Sequence, residues 1–534
     1  MSGTAAVNGK PQTVAVVGGG ISSLATADVL QRLGFKVTIF EKNAEIGGQW
    51  ALAYPGVHLQ NTCNEYYISR FPWPFKADEH PSGAQIVRYM NEAVKALQLD
   101  VRTNHEVISV APGPEQEEHV GSEKDGPPSV KSWIVRVRNG KNEATLTFDR
   151  VVMSVGQYTD GHNSLELPGQ DKFQGKIVTE REMAELGDLK GKTVMVVGMG
   201  KSALDMAVTA AEAGAAVHHV FRTPRWLLHR RILGLHFTRL LFNRFGTVMM
   251  TSWAHPTFGE RLLHGPLKPV VNGFWSGIQA LFTKLALWQA SGTGPEGEAR
   301  VRMTLPQHPL LQDLRSANAL APDTYYARVA KGEITPHHAE LSSFTPTGLH
   351  LTSGAEVKVD YVVMSVGFKS PRFPFLPDSY RALLEKESDG PQLYRHIIHP
   401  RLPLGLAFAG FNHSFMHIPC AEIGALWIAA VWRGELELPS VPDMELAIRY
   451  IQQWKRANIS FEPSRACAVN TRFQQYLDIM LKELGLSAYR KSNVFFEVFQ
   501  RYNSGDYAGV IDEYLQKRAT NEPAAKLRSL PMAT

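Results

Sequence analysis

Residues 193–207, TVMVVGMGKSALDMA, repeat the pattern of residues 13–27, TVAVVGGGISSLATA. In each stretch an apolar, largely β-branched run, 14–17 or 194–197, leads into GxGxx and a small residue. Such a run suits a parallel strand buried on both faces. Gly18 and Gly198 permit the tight turn, and Gly20 and Gly200 let a phosphate approach the backbone. Ser23 and Ala203 keep the following helix against the strand. Gly34 and Gly214 end the two helices, and every one of these pairs is 180 residues apart.

The two stretches differ where a ribose would sit. Strand 36–40 ends in Glu41, whose carboxylate is placed to hydrogen-bond a ribose and would repel a 2′-phosphate. The matching strand end reads Phe221, Arg222, Thr223, and an arginine with a hydroxyl suits a 2′-phosphate. The first cradle is therefore expected to hold FAD and the second NADPH. A hydride donor and an electron acceptor in one chain imply flavin reduction. The fold expected is α/β, with two Rossmann-like dinucleotide-binding domains, a helical insertion and a helical C-terminal extension. The FAD-binding domain takes 1–160, the NADPH-binding domain 161–369 with its insertion at about 226–320, and the extension 441–534, while the resemblance set out below implies that 370–440 returns to the FAD-binding domain.

Composition agrees with an enzyme of ordinary globular type. The 534 residues are 44% hydrophobic and 20% charged, and exceed what one core supports. A net charge of +5 without a long Lys/Arg run gives nucleic-acid binding little support. Cys63, Cys420 and Cys467 form no CxxC and no metal-ligand spacing, which disfavours disulfide, zinc and dithiol redox chemistry. Residues 1–12 lack an apolar signal core, and Lys268, Asn272, Gln279 and Lys284 interrupt the best membrane-span candidate at 267–290. A cytoplasmic enzyme is expected, with a peripheral membrane association left open.

With these motifs the sequence resembles the flavin-containing monooxygenases, the class B flavoprotein monooxygenases with Baeyer–Villiger and N-hydroxylating relatives. The resemblance covers roughly 10–225 and 330–440. EKNAEIGGQW (41–50) looks like the acid and the GGxW flavin contact, and NTCNEYYISRFPWP (61–74) is similar to the family's Asn-Thr segment. LPGQDKFQG (167–175) matches the opening of the interdomain signature. FDRVVMSVGQY (148–158) and VDYVVMSVGFKSPRFPFL (359–376) look like the two Ala-Thr-Gly strands that cross between domains. The closing flavin segment is matched by 406–440, with a helix starting near Ala421 aimed at the flavin. The resemblance implies flavin and coenzyme contacts at Gly18, Gly20, Ser22, Ser23, Glu41, Lys42, Gly48, Gln49, Trp50, Asn61, Thr62, Val107, Gly410 and Asn412. In the second cradle it implies them at Gly198, Gly200, Lys201, Ser202, Ala203, Arg222 and Thr223.

The family reduces FAD with NADPH and traps oxygen as a C4a-hydroperoxyflavin, which is lost as peroxide unless water is excluded. Asn61 matches the asparagine that protects this adduct, and is the one catalytic assignment. His413 and His417 either face the flavin ring or are satisfied at a domain interface. One departure stands out: Thr179 replaces the signature histidine and Met183 its aromatic. That disfavours Baeyer–Villiger ketone oxygenation and points to oxygenation at nitrogen or sulfur of a small or medium organic molecule. Ketone oxygenation and an uncoupled NADPH oxidase remain alternatives, and a flavin disulfide reductase would need the dithiol that the cysteines do not form.

Between the motifs, 111–130 reads as a solvated Pro/Gly-rich loop. The insertion 226–320 reads as helices packed on the second domain, with a substrate-access wall or a membrane-surface helix as the other readings. In the helical tail, NVFFEVFQRY (493–502) is expected to pack in the core, with the lining of a pocket as the other reading. Nothing in the sequence specifies an oligomeric state.

Overall fold

Both apolar runs are strands, Thr13–Val17 and Thr193–Val197, with their last four residues buried. The computed structural model describes residues 6–7, 10–114, 127–158, 161–232, 234–250, 256–316, 319–459, 466–519 and 527–528. Segment 115–126 of the loop 111–130, residues 1–5 and 8–9 of the leader, and 520–526 and 529–534 of the tail lie outside them, as do five residues of the insertion 226–320 at 251–255.

Each glycine-loop strand is the centre of a five-stranded, wholly parallel sheet. The first runs in the order Leu406–Phe408, Arg150–Met153, Thr13–Val17, Lys36–Phe40, Val101–Arg102. The second runs Lys176–Thr179, Tyr361–Met364, Thr193–Val197, Ala216–Phe221, Ile334–His338. Helices Ile21–Arg32 and Lys201–Glu212 follow the glycine turns. Each sheet also carries a three-stranded antiparallel meander just before the strand that crosses to its centre. These are Glu106–Pro112, Trp133–Asn139, Asn142–Phe148 and Leu341–Thr345, Gly348–Leu351, Glu356–Lys358. The α/β fold expected from sequence is present, and its duplication extends well beyond the glycine loops.

The insertion comprises a short hairpin, Arg231–Ile232 with Leu235–His236, and the helices Phe237–Leu241, Arg244–Met250, Phe258–His264, Lys268–Trp288, Gly294–Met303 and Leu310–Arg315. A parallel bridge between Leu228 and Leu320 brings its two ends together. It does not pack on the second sheet alone. Trp226, Phe237, Phe242, Trp275 and Phe282 share a core with the first glycine-loop helix and the C-terminal helices, whereas Ala286, Ala290 and Val301 join the core of the second sheet. The insertion therefore spans both halves.

The helix of the closing segment is His417–Trp432, starting four residues before Ala421. Pro419 lies in its first turn, where a missing N–H costs nothing, so the helix can start ahead of it. Glu483, on helix Phe473–Glu483 of the extension, accepts from Trp427 Nε1 at 2.8 Å and pairs with Arg395 at 2.6 Å, fully buried. Among the described residues no helix is long and apolar enough to cross a membrane.

The segment NVFFEVFQRY corrects the expectation of core packing. In helix Val494–Phe499 the side chains of Val494, Phe495, Phe496 and Phe499 are exposed, and the buried residue is Glu497. Glu497 accepts from Arg244 Nε, the Tyr502 hydroxyl and the backbone N–H groups of Arg490 and Lys491. Four donors hold the carboxylate inside, and the phenylalanines are rolled outward.

Candidate functional site

The two glycine turns are built alike. Gly18 N–H donates to Phe40 O at 2.8 Å and Gly198 N–H to Val220 O at 2.9 Å. Ser154 and Ser365, just past the crossing strands, donate their N–H groups to Val17 O and Val197 O. A Cβ on Gly18 would lie 2.5 Å from Ser154 O, and one on Gly198 2.3 Å from Ser365 O. Both glycines have positive φ, so no other residue fits either turn. At Gly20 and Gly200 a Cβ would meet nothing within 4 Å. That open face, at the start of a helix, is where a pyrophosphate can approach.

Around the first cradle, Ser23 Oγ donates to Ser154 Oγ at 2.9 Å. Glu41 is buried, and its carboxylate accepts from Gly19 N–H at 2.7 Å and Asn43 N–H at 2.8 Å. Gly48 sits against Gly20, 3.3 Å from a Cβ to Gly20 Cα, so the GGQW segment lies over the loop. Lys42 beside it is exposed. Gly410 brings the closing segment in, where a Cβ would be 2.7 Å from Ser22 Oγ. Ser22 Oγ is 2.7 Å from His417 Nε2, at the first turn of the closing helix. His417 is half-buried, and its Nδ1, shielded from solvent, has no hydrogen-bond partner among the described residues. Asn412 spends its amide nitrogen on Cys420 O and the Tyr476 hydroxyl, leaving a buried Oδ1 unsatisfied. The open glycine face, the orphaned His417 nitrogen and the helix N-terminus together fit an anionic dinucleotide such as FAD. Val107 is a core residue paired with Val137, so only its backbone is available to a cofactor.

Trp50 donates to the Tyr66 hydroxyl at 2.7 Å and packs edge-on against its ring. Asn61 is buried, and its Nδ2 donates to Phe415 O in the closing segment. Thr62 caps the short helix Cys63–Glu65. Behind Asn61, His80 Nδ1 faces the carbonyls of Leu59 and Asn61 at 3.1 and 3.0 Å, so it carries the proton. His80 Nε2 then accepts from His236 Nε2–H at 3.1 Å, and His236 Nδ1 accepts from Thr238 N–H. Burial lowers both histidines, His236 to about 4. This neutral pair links the insertion to the backbone of Asn61. Glu79, His80 and His236 place ligand atoms within 4.8 Å of one another, a grouping of separated residues that sequence spacing did not show.

In the second cradle, Lys201 pairs with Asp205, which also accepts from the Tyr54 hydroxyl at 2.6 Å. Tyr54 comes from the loop beyond GGQW, so this contact joins the two halves; burial and Asp205 keep the phenol protonated. Ser202 also hydrogen-bonds Tyr54, and Ala203 is fully buried. Arg222, at the strand end, is 81% exposed with Glu340 at 3.6 Å, and Thr223 is half-buried beside it. His219 was not singled out from sequence, because nothing in AAVHHVF distinguishes its two histidines. Its Nε2–H donates to Gly198 O at 2.7 Å and its Nδ1 accepts from Tyr325 at 2.8 Å, bracing the glycine turn.

Thr179 is occupied locally: its N–H and hydroxyl both donate to Glu182, at 2.8 and 3.0 Å. Two residues on, Arg181 donates to Gln49 Oε1 at 2.6 Å, a second tie between the halves.

The model of the flavin-binding monooxygenase-like family matches residues 11–262 and 312–499. A probable flavin-containing monooxygenase 1 of Arabidopsis thaliana is 27% identical over 527 residues, covering 92% of this chain and 96% of its own. Among solved structures, an S-allyl-L-cysteine S-oxygenase from Allium sativum superposes with TM-score 0.55 at 17% identity, over 97% of this chain and 94% of its own. An oxidised steroid monooxygenase bound to NADP superposes with TM-score 0.59 at 18% identity, over 95% and 98%.

Burial holds His219 down to about 4 and His417 to about 3. Both folded values lie below the unfolded value near 6.5, so the unfolded chain takes up protons first as pH falls. Stability is fully present above about pH 6.5 and is lost as pH drops toward about 4, by about 3 kcal/mol for His219 alone. Urea unfolding at about pH 7.5 and about pH 5 should show a lower midpoint in acid. His219→Gln, which keeps a donor but cannot titrate, should make that drop shallower; an equal drop in both proteins would assign the loss elsewhere.

Proposed function

Because the chain belongs to the flavin-binding monooxygenase-like family, we propose that it is an FAD- and NADPH-dependent monooxygenase oxygenating a small or medium organic molecule at nitrogen or sulfur. A flavin-dependent monooxygenase is the enzyme class; the coenzyme and the atom oxygenated are our reading. The observation that carries it is the pair of in-register cradles with opposite chemistry at the ribose end, buried Glu41 in one and exposed Arg222 in the other. FAD is assigned to the unit of 1–160 and 370–440, and NADPH to 161–369. Bound FAD supplies the redox and oxygen-activating chemistry, with NADPH as hydride donor.

The chain's own residues bind, orient and exclude water. Gly18, Gly20, Ser22 and Ser23 would receive the FAD pyrophosphate, with the unpartnered Nδ1 of His417 beside them, and Glu41 would hold the ribose hydroxyls. Gly48, Gln49 and Trp50 cover the flavin with apolar and amide surface. Asn61, whose backbone carbonyl accepts from His80 and whose amide nitrogen donates to Phe415 O, would line the flavin side of the site and help to exclude water. Gly198, Gly200, Lys201 and Ser202 receive the coenzyme pyrophosphate, and Arg222 and Thr223 its 2′-phosphate.

The choice of a heteroatom over a ketone rests on Thr179. Its hydroxyl and N–H are spent on Glu182, and it carries no group that changes charge between about pH 5 and 8. Sulfur oxygenation is the activity for which the Allium S-oxygenase is named, and the fold neighbours include a steroid monooxygenase as well. A matched cyclic sulfide, amine and ketone, each tested for substrate-stimulated NADPH oxidation with peroxide counted in parallel, should give coupled product from the sulfide or amine. Efficient lactone formation without heteroatom oxide would reverse the choice, and peroxide equal to NADPH consumed would make the protein an oxidase.

Arg222→Ala should raise the KM for NADPH about ten- to hundredfold and leave NADH nearly unchanged, since only the 2′-phosphate contact is lost. Its exposure makes a folding defect an unsuitable explanation for such a split. Asn61→Leu should leave flavin reduction near wild-type rate in stopped flow while the share of NADPH lost as peroxide rises several-fold. Slow reduction with unchanged coupling would give Asn61 a different role.

A further inference from the structure

Helix Val494–Phe499 displays phenylalanine to solvent, and the surface around it does the same. Phe499 packs on Phe245 of the insertion at 5.7 Å between ring centroids, and Phe245 on Phe274 at 6.3 Å. Phe495 adjoins Phe499 at 5.2 Å. Phe274 lies on helix Lys268–Trp288, where Val270 is 61% exposed one turn before it, after the exposed Leu267. The helix packed against this one, Phe258–His264, adds exposed Leu262 and Phe258, the latter 76% exposed. A continuous apolar face is thus assembled from two parts of the chain more than 200 residues apart. Isolated exposed apolar residues need no explanation, but a contiguous patch of this kind does.

The patch is held rigidly from beneath. Arg244 joins the buried Glu497 to Asp478, 2.5 Å from Arg244 Nη1, and lies over the Tyr489 and Tyr502 rings. Trp275 Nε1 donates to Met249 O at 2.6 Å and seats the long helix. The outward aromatic side is therefore a consequence of the buried ion pair.

The charge around the patch has one sign. In 256–288 and 489–502 the acids are Glu260 and Glu497, and both are buried and hydrogen-bonded. Arg261, Lys268 and Lys284 are exposed and form no ion pair among the described residues. A second copy of the chain seated face to face on these segments would set cations against cations, with no exposed carboxylate from the same segments to answer them. An apolar face rimmed by unpaired cations matches a bilayer with anionic headgroups.

We propose that this face, built by the insertion and the C-terminal extension together, docks the protein peripherally on an anionic lipid surface. Aromatic and aliphatic side chains enter the interface, the three cations meet the headgroups, and no segment spans the bilayer. The inference is independent of the reaction assigned above.

The test uses the full-length, flavin-loaded protein sedimented with vesicles of phosphatidylcholine, alone or carrying phosphatidylserine. Wild type should sediment with the phosphatidylserine vesicles and be released in part by added salt. Phe495→Ser with Phe499→Ser, and separately Val270→Ser with Phe274→Ser, should each lower the partition coefficient at least about tenfold. Flavin content and Tm should be unchanged, because these side chains already face water. Lys268→Glu with Lys284→Glu should remove the preference for phosphatidylserine. Absence of wild-type binding to either vesicle would overturn the proposal, whether another part of this chain or nothing covers the face. So would serine variants that bind like wild type, or a dimer in light scattering that the serine variants abolish without any vesicle binding.

Discussion

The close approach of each glycine turn to its crossing strand is the constraint on which the rest depends. Gly18 and Gly198 sit where a single Cβ would overlap the carbonyl of Ser154 or Ser365. The chain gains by this a strand-to-helix turn tight enough to present open backbone at Gly20 and Gly200. Because Ser154 and Ser365 also bond back to Val17 and Val197, each turn is fixed from the sheet side before any ligand arrives. A glycine turn built this way has its backbone preorganised, which would reduce the entropic cost of binding a dinucleotide.

The two cradles are useful together only if their relative position is held. Tyr54 and Gln49, both from the loop that covers the first glycine turn, reach Asp205 and Arg181 of the second half. These bonds come from the segment proposed to cover the flavin, so in that reading coenzyme placement and flavin cover are mechanically linked. Asp205 in turn pairs with Lys201 at the second helix start, so a phosphate drawn to Lys201 would compete with the interdomain tie. The His80–His236 pair performs the corresponding service for Asn61, joining the insertion to its backbone carbonyl. The insertion is therefore a structural part of the candidate site as well as a bridge between its halves.

Buried charge decided surface character at one place. Glu497 satisfies its carboxylate with Arg244, Tyr502 and two backbone N–H groups, and a six-residue helix cannot bury both that group and its phenylalanines. An unpaired buried carboxylate would cost more than several partly exposed rings. Hydrophobic composition alone points the wrong way here, since it takes no account of a partner 253 residues distant.

The sequence by itself determined the two cradles, their 180-residue register, the parallel strands and the opposite residues at the ribose ends. These are local patterns of period, small-residue spacing and strand-end chemistry, complete within about 30 residues. Val14–Val17 and its repeat could be read as doubly buried strands because nothing polar interrupts them. Only the tertiary structure decided that His219 braces Gly198, that His417 meets Ser22 across 395 residues, and that Thr179 is engaged by Glu182. It alone also set the start of the closing helix ahead of Pro419 and turned Phe495 and Phe499 to the surface. Those outcomes depend on which distant groups supply hydrogen bonds and ion pairs to a buried atom. That competition has no periodic signature along the chain, so it appears only when the elements are packed.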